Sequence, residues 1–192
     1  MTVAPELLKT LALQPRFAVL AVLLGLAAYI DIRTHRIPNL LILAGLSFAI
    51  PYNGLHPASA GANGWLVASA GCLVGFISLF PLYLLRTMGA GDVKLMAMVG
   101  AFVGPFGAFC SALGTFLAGG VLAITVLLCK RRMRRALSHV FQLLTTNLLT
   151  APAASVDFTM SDANSTGKLP YAVAIAAGSL TYLAASGSGL IG

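Results

Sequence analysis

Phe17-Ala18-Val19-Leu20-Ala21-Val22-Leu23-Leu24-Gly25-Leu26-Ala27-Ala28-Tyr29-Ile30-Asp31 is an apolar run that closes on a carboxylate. Extended a little at either end, it is long enough to enter a bilayer, whose hydrocarbon takes ~20 helical residues. A second acid opens a later apolar run, within Met88-Gly89-Ala90-Gly91-Asp92-Val93-Lys94-Leu95. The chain has only five acidic residues, and these two stand beside lipid. A carboxylate near hydrocarbon is costly, which makes each a functional candidate. Together they predict shared chemistry.

The composition sets the solvent. Hydrophobic residues make up 58% of the 192 and charged residues 9%, against ~25% charged in soluble domains. One soluble core of this size cannot hide so much apolar surface. The expected fold is an all-α polytopic membrane protein forming a single membrane-embedded domain over residues 1–192. Cys72, Cys110 and Cys129 are scattered through apolar runs without Cys-x-x-Cys pairing. They read as small buried hydrophobes and not as a zinc site, which needs clustered ligands. No metal or other cofactor is expected.

The net charge of +7 is concentrated in Lys130-Arg131-Arg132-Met133-Arg134-Arg135, directly after a long apolar segment. A juxtamembrane basic run of this kind fits cytoplasmic retention and contact with anionic membrane lipids. No nucleic-acid-binding motif accompanies it, so no nucleic-acid partner is expected.

Glycine, proline and charge punctuate the chain into about six transmembrane helices. The uncharged stretch from Ile37 to Leu85 is too long for one span. It is expected to divide at Pro51-Tyr52-Asn53-Gly54 and the Gly/Ala/Asn-rich segment before Trp65, with Tyr52 and Trp65 at the interface. Leu95 to Cys129 is expected to divide at Gly104-Pro105-Phe106-Gly107 into a short and a longer helix. A last span covers about Leu169 to Ala185. Residues 130–168 form a basic loop within the domain, where Leu137, Val140, Phe141, Leu144 and Leu148 at helical spacing predict an amphipathic segment on the membrane.

Basic residues alternate from loop to loop. Arg33 and Arg36, Arg86 and Lys94, and the Lys130–Arg135 cluster occupy every second connection, while the loops between carry no Lys or Arg. The positive-inside rule puts the basic loops in the cytoplasm, and with them both Asp31 and Asp92. Lys9 and Arg16, in the expected external tail, are a minor contrary signal. A cleaved signal peptide fits the first run poorly, because Asp31 stands where small residues should mark cleavage.

Two carboxylates at matching depth resist ionising together and share one proton. One then takes a proton from water attacking a peptide carbonyl, and the other stabilises the developing charge. That is aspartyl-protease chemistry. Gly89 and Gly91 would permit backbone conformations and close contacts on the approach to Asp92; the plainer alternative is a turn with Asp92 as helix N-cap. Asp31 has its own alternative, an ion pair with Arg33 or Arg36. Lys94 either snorkels to the headgroups or tunes the pair. Pro38, in Ile37-Pro38-Asn39, suits the first turn of a restarting helix.

Three stretches resemble the type IV prepilin peptidases, membrane aspartyl proteases of the Gly-x-Gly-Asp type. They are Asp31-Ile32-Arg33-Thr34-His35-Arg36-Ile37-Pro38-Asn39, Gly89-Ala90-Gly91-Asp92-Val93-Lys94-Leu95 and Lys168-Leu169-Pro170-Tyr171-Ala172. The resemblance runs from about Phe17 onward. It implies that Asp31 and Asp92 are the catalytic pair and that Gly89, Gly91, Lys94, Pro38, Asn39, Pro170 and Tyr171 shape the site. It also implies prepilin or pseudopilin precursors as substrates, cleaved at the cytoplasmic face of the bacterial inner membrane. Larger family members resemble a fusion with an N-methyltransferase module bearing paired Cys-x-x-Cys sites. Those cysteines are absent here, so the chain is similar to the compact enzymes serving Flp (Tad) pili, with cleavage and no methylation expected. Two other classes stay open on the residues alone: a small proton- or cation-coupled transporter using Asp31 and Asp92, and a scaffold of a secretion apparatus.

Overall fold

A computed structural model describes residues 14–56, 63–85, 88–129 and 171–187. They form five helices in chain order: α1 (Pro15–Thr34), α2 (Asn39–Leu55), α3 (Gly64–Leu84), α4 (Ala90–Cys129) and α5 (Tyr171–Gly187). No strand occurs among the described residues. Three helices are long and apolar enough to cross a membrane, α1, α3 and α4 over Ala90–Thr125, and α2 and α5 are shorter apolar helices. The protein is an all-α polytopic membrane protein.

Local chemistry sets the helix ends. Pro15 opens α1, where its missing N–H costs no bond. His35 closes it in the left-handed region at φ 49°, donating its N–H to Asp31 O at 2.8 Å. Thr34 Oγ1 also caps Ile30 O at 2.9 Å. The helix therefore stops one turn after Asp31. Pro38 takes the N-cap position of α2, one place before the first turn expected for it.

The expected break at Pro51-Tyr52-Asn53-Gly54 does not occur there, because α2 continues through Pro51 to Leu55. A ladder of stacked rings runs along the helix past the proline. Phe48 stacks on Tyr52 at 5.5 Å and Tyr52 on His56 at 5.1 Å, at the i,i+4 spacing that holds successive turns. Arg16, expected in a tail, belongs to the first turn of α1.

Helix α4 is two arms. Gly104 has non-helical dihedrals (φ 79°, ψ 178°), available to a residue without Cβ, and Pro105 follows it. A Cβ placed on Gly100 would lie 3.2 Å from that of Ala108. In a straight helix residues eight apart are ~12 Å apart. The chain therefore doubles back at Gly104, as the division there predicts, and the described helices supply six segments. The first arm, residues 90–103, is the centre of the fold. Val93, Leu95, Met96, Met98, Val99, Ala101 and Phe102 are each at most 2% exposed. Around it Gly71 of α3 meets Gly100 backbone to backbone, and Gly45 of α2 meets Met98. Such small-residue crossings let helices approach closely without a hydrophobic drive from lipid. Elsewhere α1 packs on α5 and α2, and α2 on α3.

The turn ends a helix arm and takes the helical donor away from its last carbonyls, that of Ala101 among them, and Pro105 has no N–H to give. Asn53 Nδ2 donates to Ala101 O at 2.8 Å instead, from a side chain only 6% exposed. Arg16 Nη1 in turn donates to Asn53 Oδ1 at 2.9 Å. One amide thus joins α1, α2 and the α4 turn.

By contact the chain forms two compact units. The first comprises Met1–Gly119 with Pro170–Gly192 and carries the features above. The second, Gly120–Leu169, is described only along the end of α4. The basic run at 130–135, the amphipathic segment, Arg86, Lys168 and Pro170 lie outside the described residues.

Candidate active site

Asp31 sits in the last turn of α1 and Asp92 is the third residue of α4. Both are buried, at 6% and 8% exposure, among few polar side chains so placed. The Asp31 carboxylate acts electrostatically on that of Asp92. Two acids 61 positions apart in sequence are therefore brought within electrostatic reach of each other.

Each carboxylate is held through Oδ2 by a backbone amide. Ala172 N–H, in the first turn of α5, donates to Asp31 Oδ2 at 3.1 Å. Gly89 N–H donates to Asp92 Oδ2 at 3.1 Å, while Asp92 N–H returns a bond to Gly89 O at 3.1 Å. The second pair is half of a capping box: the acid reaches back from inside the helix. Asp92 is thus not the N-cap. Both acids instead face helix N-termini, whose oriented N–H groups favour negative charge.

Neither alternative partner takes Asp31. The Arg33 guanidinium lies over the Tyr29 ring, 5.6 Å from its centroid, and the described side-chain bond of Asp31 is to Ala172. Lys94 Nζ donates to Asn39 Oδ1 at 3.3 Å, tying the start of α4 to the start of α2. Tyr171, half-buried at the head of α5, lies within electrostatic reach of Asp92. All three sequence stretches therefore converge, the third through Tyr171 and Ala172.

The glycines act differently from expectation. Gly104 is the positive-φ glycine among the described residues, so neither Gly89 nor Gly91 is there for backbone conformation. Gly91 is there for proximity: a Cβ on it would lie 3.2 Å from Ile37 Cβ, tighter than ordinary contact. At Gly89 a Cβ would meet Asp92 Oδ2 at an unremarkable 3.4 Å.

Sequence reasoning missed the Ala172 amide and Asn53. No pattern marks a backbone donor. The Asn53 bond was half visible, since Pro105 marks Ala101 O as a carbonyl in need of a donor. Among the described residues no group of three or more His, Cys, Asp or Glu side chains could hold a metal ion. Cys72 and Cys110 are free and half-buried, less enclosed than expected.

The family model described as the type IV leader peptidase family matches residues 18–124. That span contains both acids, the α4 turn and Asn53, and ends before α5. No curated protein and no solved structure matches the chain.

Proposed function

Because this chain belongs to the type IV leader peptidase family, we propose that it works as an aspartic-type endopeptidase through Asp31 and Asp92. The observation that carries the reading is the convergence of these two buried acids, each steadied by one backbone amide. Membership of a prepilin peptidase family favours cleavage over the transport and scaffold alternatives.

In this mechanism the pair carries one proton, because two neighbouring carboxylates in a poorly solvated site repel when both are ionised. The ionised acid takes a proton from water as the water oxygen attacks the scissile carbonyl carbon. The protonated acid hydrogen-bonds the carbonyl oxygen and stabilises the tetrahedral intermediate. The C–N bond then breaks, and the leaving amine takes a proton from the pair. Amide bonds from Ala172 and Gly89 fix where each carboxylate points, so that little reorganisation accompanies the reaction.

Gly91, Ile37 and the Lys94–Asn39 bond hold α4 against the start of α2, and Tyr171 lines the Asp92 side. Gly89, Pro38 and Pro170 complete the proposed surroundings. The substrate is a type IV prepilin or pseudopilin of the Flp type, cut after its leader at the cytoplasmic face of the bacterial inner membrane. The alternation of basic loops supports that orientation. The apolar composition of the chain supports a single membrane-embedded domain over residues 1–192.

The test is incubation of membranes containing the protein with a panel of precursor pilins, followed by N-terminal sequencing of the products. A single new N-terminus in Flp-type precursors supports the reading. Cleavage of other type IV precursors alone would contradict the substrate class, and no cleavage of any precursor would contradict the activity.

A further inference from the structure

At the end of the helices away from the aspartates, Arg16 is half-buried in a cluster drawn from three helices. Its Nε donates to Gln14 Oε1 at 3.0 Å and its Nη1 to Asn53 Oδ1 at 2.9 Å, and its guanidinium stands 4.5 Å from the Phe17 ring centroid. Tyr52 of α2 and Tyr182 of α5 lie within electrostatic reach, and Ser186 hydrogen-bonds Tyr182. A guanidinium has five N–H donors. Both acceptors, Gln14 Oε1 and Asn53 Oδ1, are neutral amide oxygens, so the hydrogen bonds leave the charge itself without a counter-charge among the described residues.

The chain offers few. Of its five acids, Asp31 and Asp92 are engaged at the other end, Asp157 and Asp162 belong to the 130–168 segment, and Glu6 precedes α1. A cation taken partly out of water needs a partner charge. The surroundings say what kind. Trp65 packs on Gly54, next to Asn53, and Tyr182 lies against Gly107 beside the α4 turn, so aromatic side chains of the sort found at headgroup level stand at this end of the helices. Along α1, Arg16 and Arg33 are ~25 Å apart at 1.5 Å per residue, close to the ~30 Å of hydrocarbon between two headgroup layers.

We propose that Arg16, with Tyr52 and Tyr182, binds the phosphate of one anionic phospholipid headgroup in the leaflet opposite the aspartate pair. The guanidinium supplies charge and free N–H donors, and the phenols supply O–H donors. Arg16 is a basic residue on the side where the positive-inside rule expects none, and a bound lipid phosphate accounts for it. The site also touches Asn53, so a lipid there braces the α4 turn.

The test uses the full chain purified in detergent, stripped of lipid and titrated with phosphatidylglycerol, with retained lipid counted by native mass spectrometry. Lys130, Arg131, Arg132, Arg134 and Arg135 are replaced by Gln throughout, so that the basic run does not contribute. One retained phosphatidylglycerol is expected. Arg16→Gln should weaken its retention at least about tenfold, as loss of a charge-assisted phosphate contact requires. Tyr182→Phe, which removes one hydroxyl, should weaken it less and serves as the readout if Arg16→Gln does not fold. Glu6→Gln should leave retention unchanged, and millimolar inorganic phosphate should not displace the lipid. Equal retention by the Arg16→Gln and parent proteins would overturn the proposal, as would unchanged retention by Tyr182→Phe where only that variant folds. Retention seen only after Glu6→Gln would show the chain's own carboxylate in the site, and displacement by phosphate would show a site for the free anion.

Discussion

Asp31 Oδ2 accepts the backbone N–H of Ala172 at 3.1 Å, a bond between residues 141 positions apart. An acid in the last turn of α1 therefore caps the start of α5 from another helix. An Asn side chain retains an oxygen acceptor and an Ala does not. Asp31→Asn should keep the cap and unfold within a degree or two of the parent, while Asp31→Ala should lose ~1 kcal/mol, as cap deletions do. Thermal unfolding in detergent checks this, and equal melting of the two variants would argue against a capping role.

Asn53 makes a different kind of claim, about the α4 turn. Its amide supplies the donor that the Gly104-Pro105 turn withholds from Ala101 O, and removing it leaves a buried carbonyl unsatisfied, at ~1–3 kcal/mol. Asn53→Leu should lower the melting temperature by several degrees. The double variant Asn53→Leu/Pro105→Ala should recover none of the loss, since Gly104 keeps its turn conformation and the new N–H points away from Ala101 O. An unchanged melting temperature for Asn53→Leu would contradict the assignment.

The close crossing of α3 and α4 yields a sharper contrast. A side chain at Gly71 or Gly100 would run into the backbone of the facing helix, whereas a Cβ at Gly25 meets nothing within 4 Å. Gly71→Val and Gly100→Val should abolish folded protein. Gly25→Ala should be neutral or stabilise by up to ~1 kcal/mol, the helix-interior difference between the two residues. Monodispersity of detergent-purified protein measures both. Folded Gly100→Val would mean that the helices are not in contact there.

Gly89 and Gly91 look equivalent in sequence, and the structure separates them. A methyl group at Gly91 presses on Ile37 Cβ, an atom fixed to the backbone, while at Gly89 it has room. Gly91→Ala should slow precursor cleavage severalfold and Gly89→Ala should slow it less, in a timed assay at matched protein levels. The reverse order would contradict the packing account.

How much of this was legible beforehand follows from the kind of signal each feature leaves. The helices and the doubling at Gly104-Pro105 were readable because apolar runs and helix breakers act locally. The extent of α2 was not. Pro51 is a helix breaker by the same local rule as Pro105, and what holds the end of α2, the Asn53–Ala101 bond and Gly54 against Trp65, comes from residues distant in sequence. The two acids stood out because charge beside lipid is expensive, whatever the fold. Their partners Ala172 N–H and Gly89 N–H are backbone groups, which carry no residue-type signature. Arg16 carries no local sign of belonging to the fold, because its Asn53 partner lies 37 positions away.

The most direct measurement is cleavage of a co-expressed prepilin by Asp31→Asn and Asp92→Asn proteins shown to be inserted and folded. The account predicts that the precursor stays uncleaved with either variant, while Asp157→Asn and Asp162→Asn process it normally. Normal processing by either the Asp31 or the Asp92 variant would contradict the two-carboxylate mechanism.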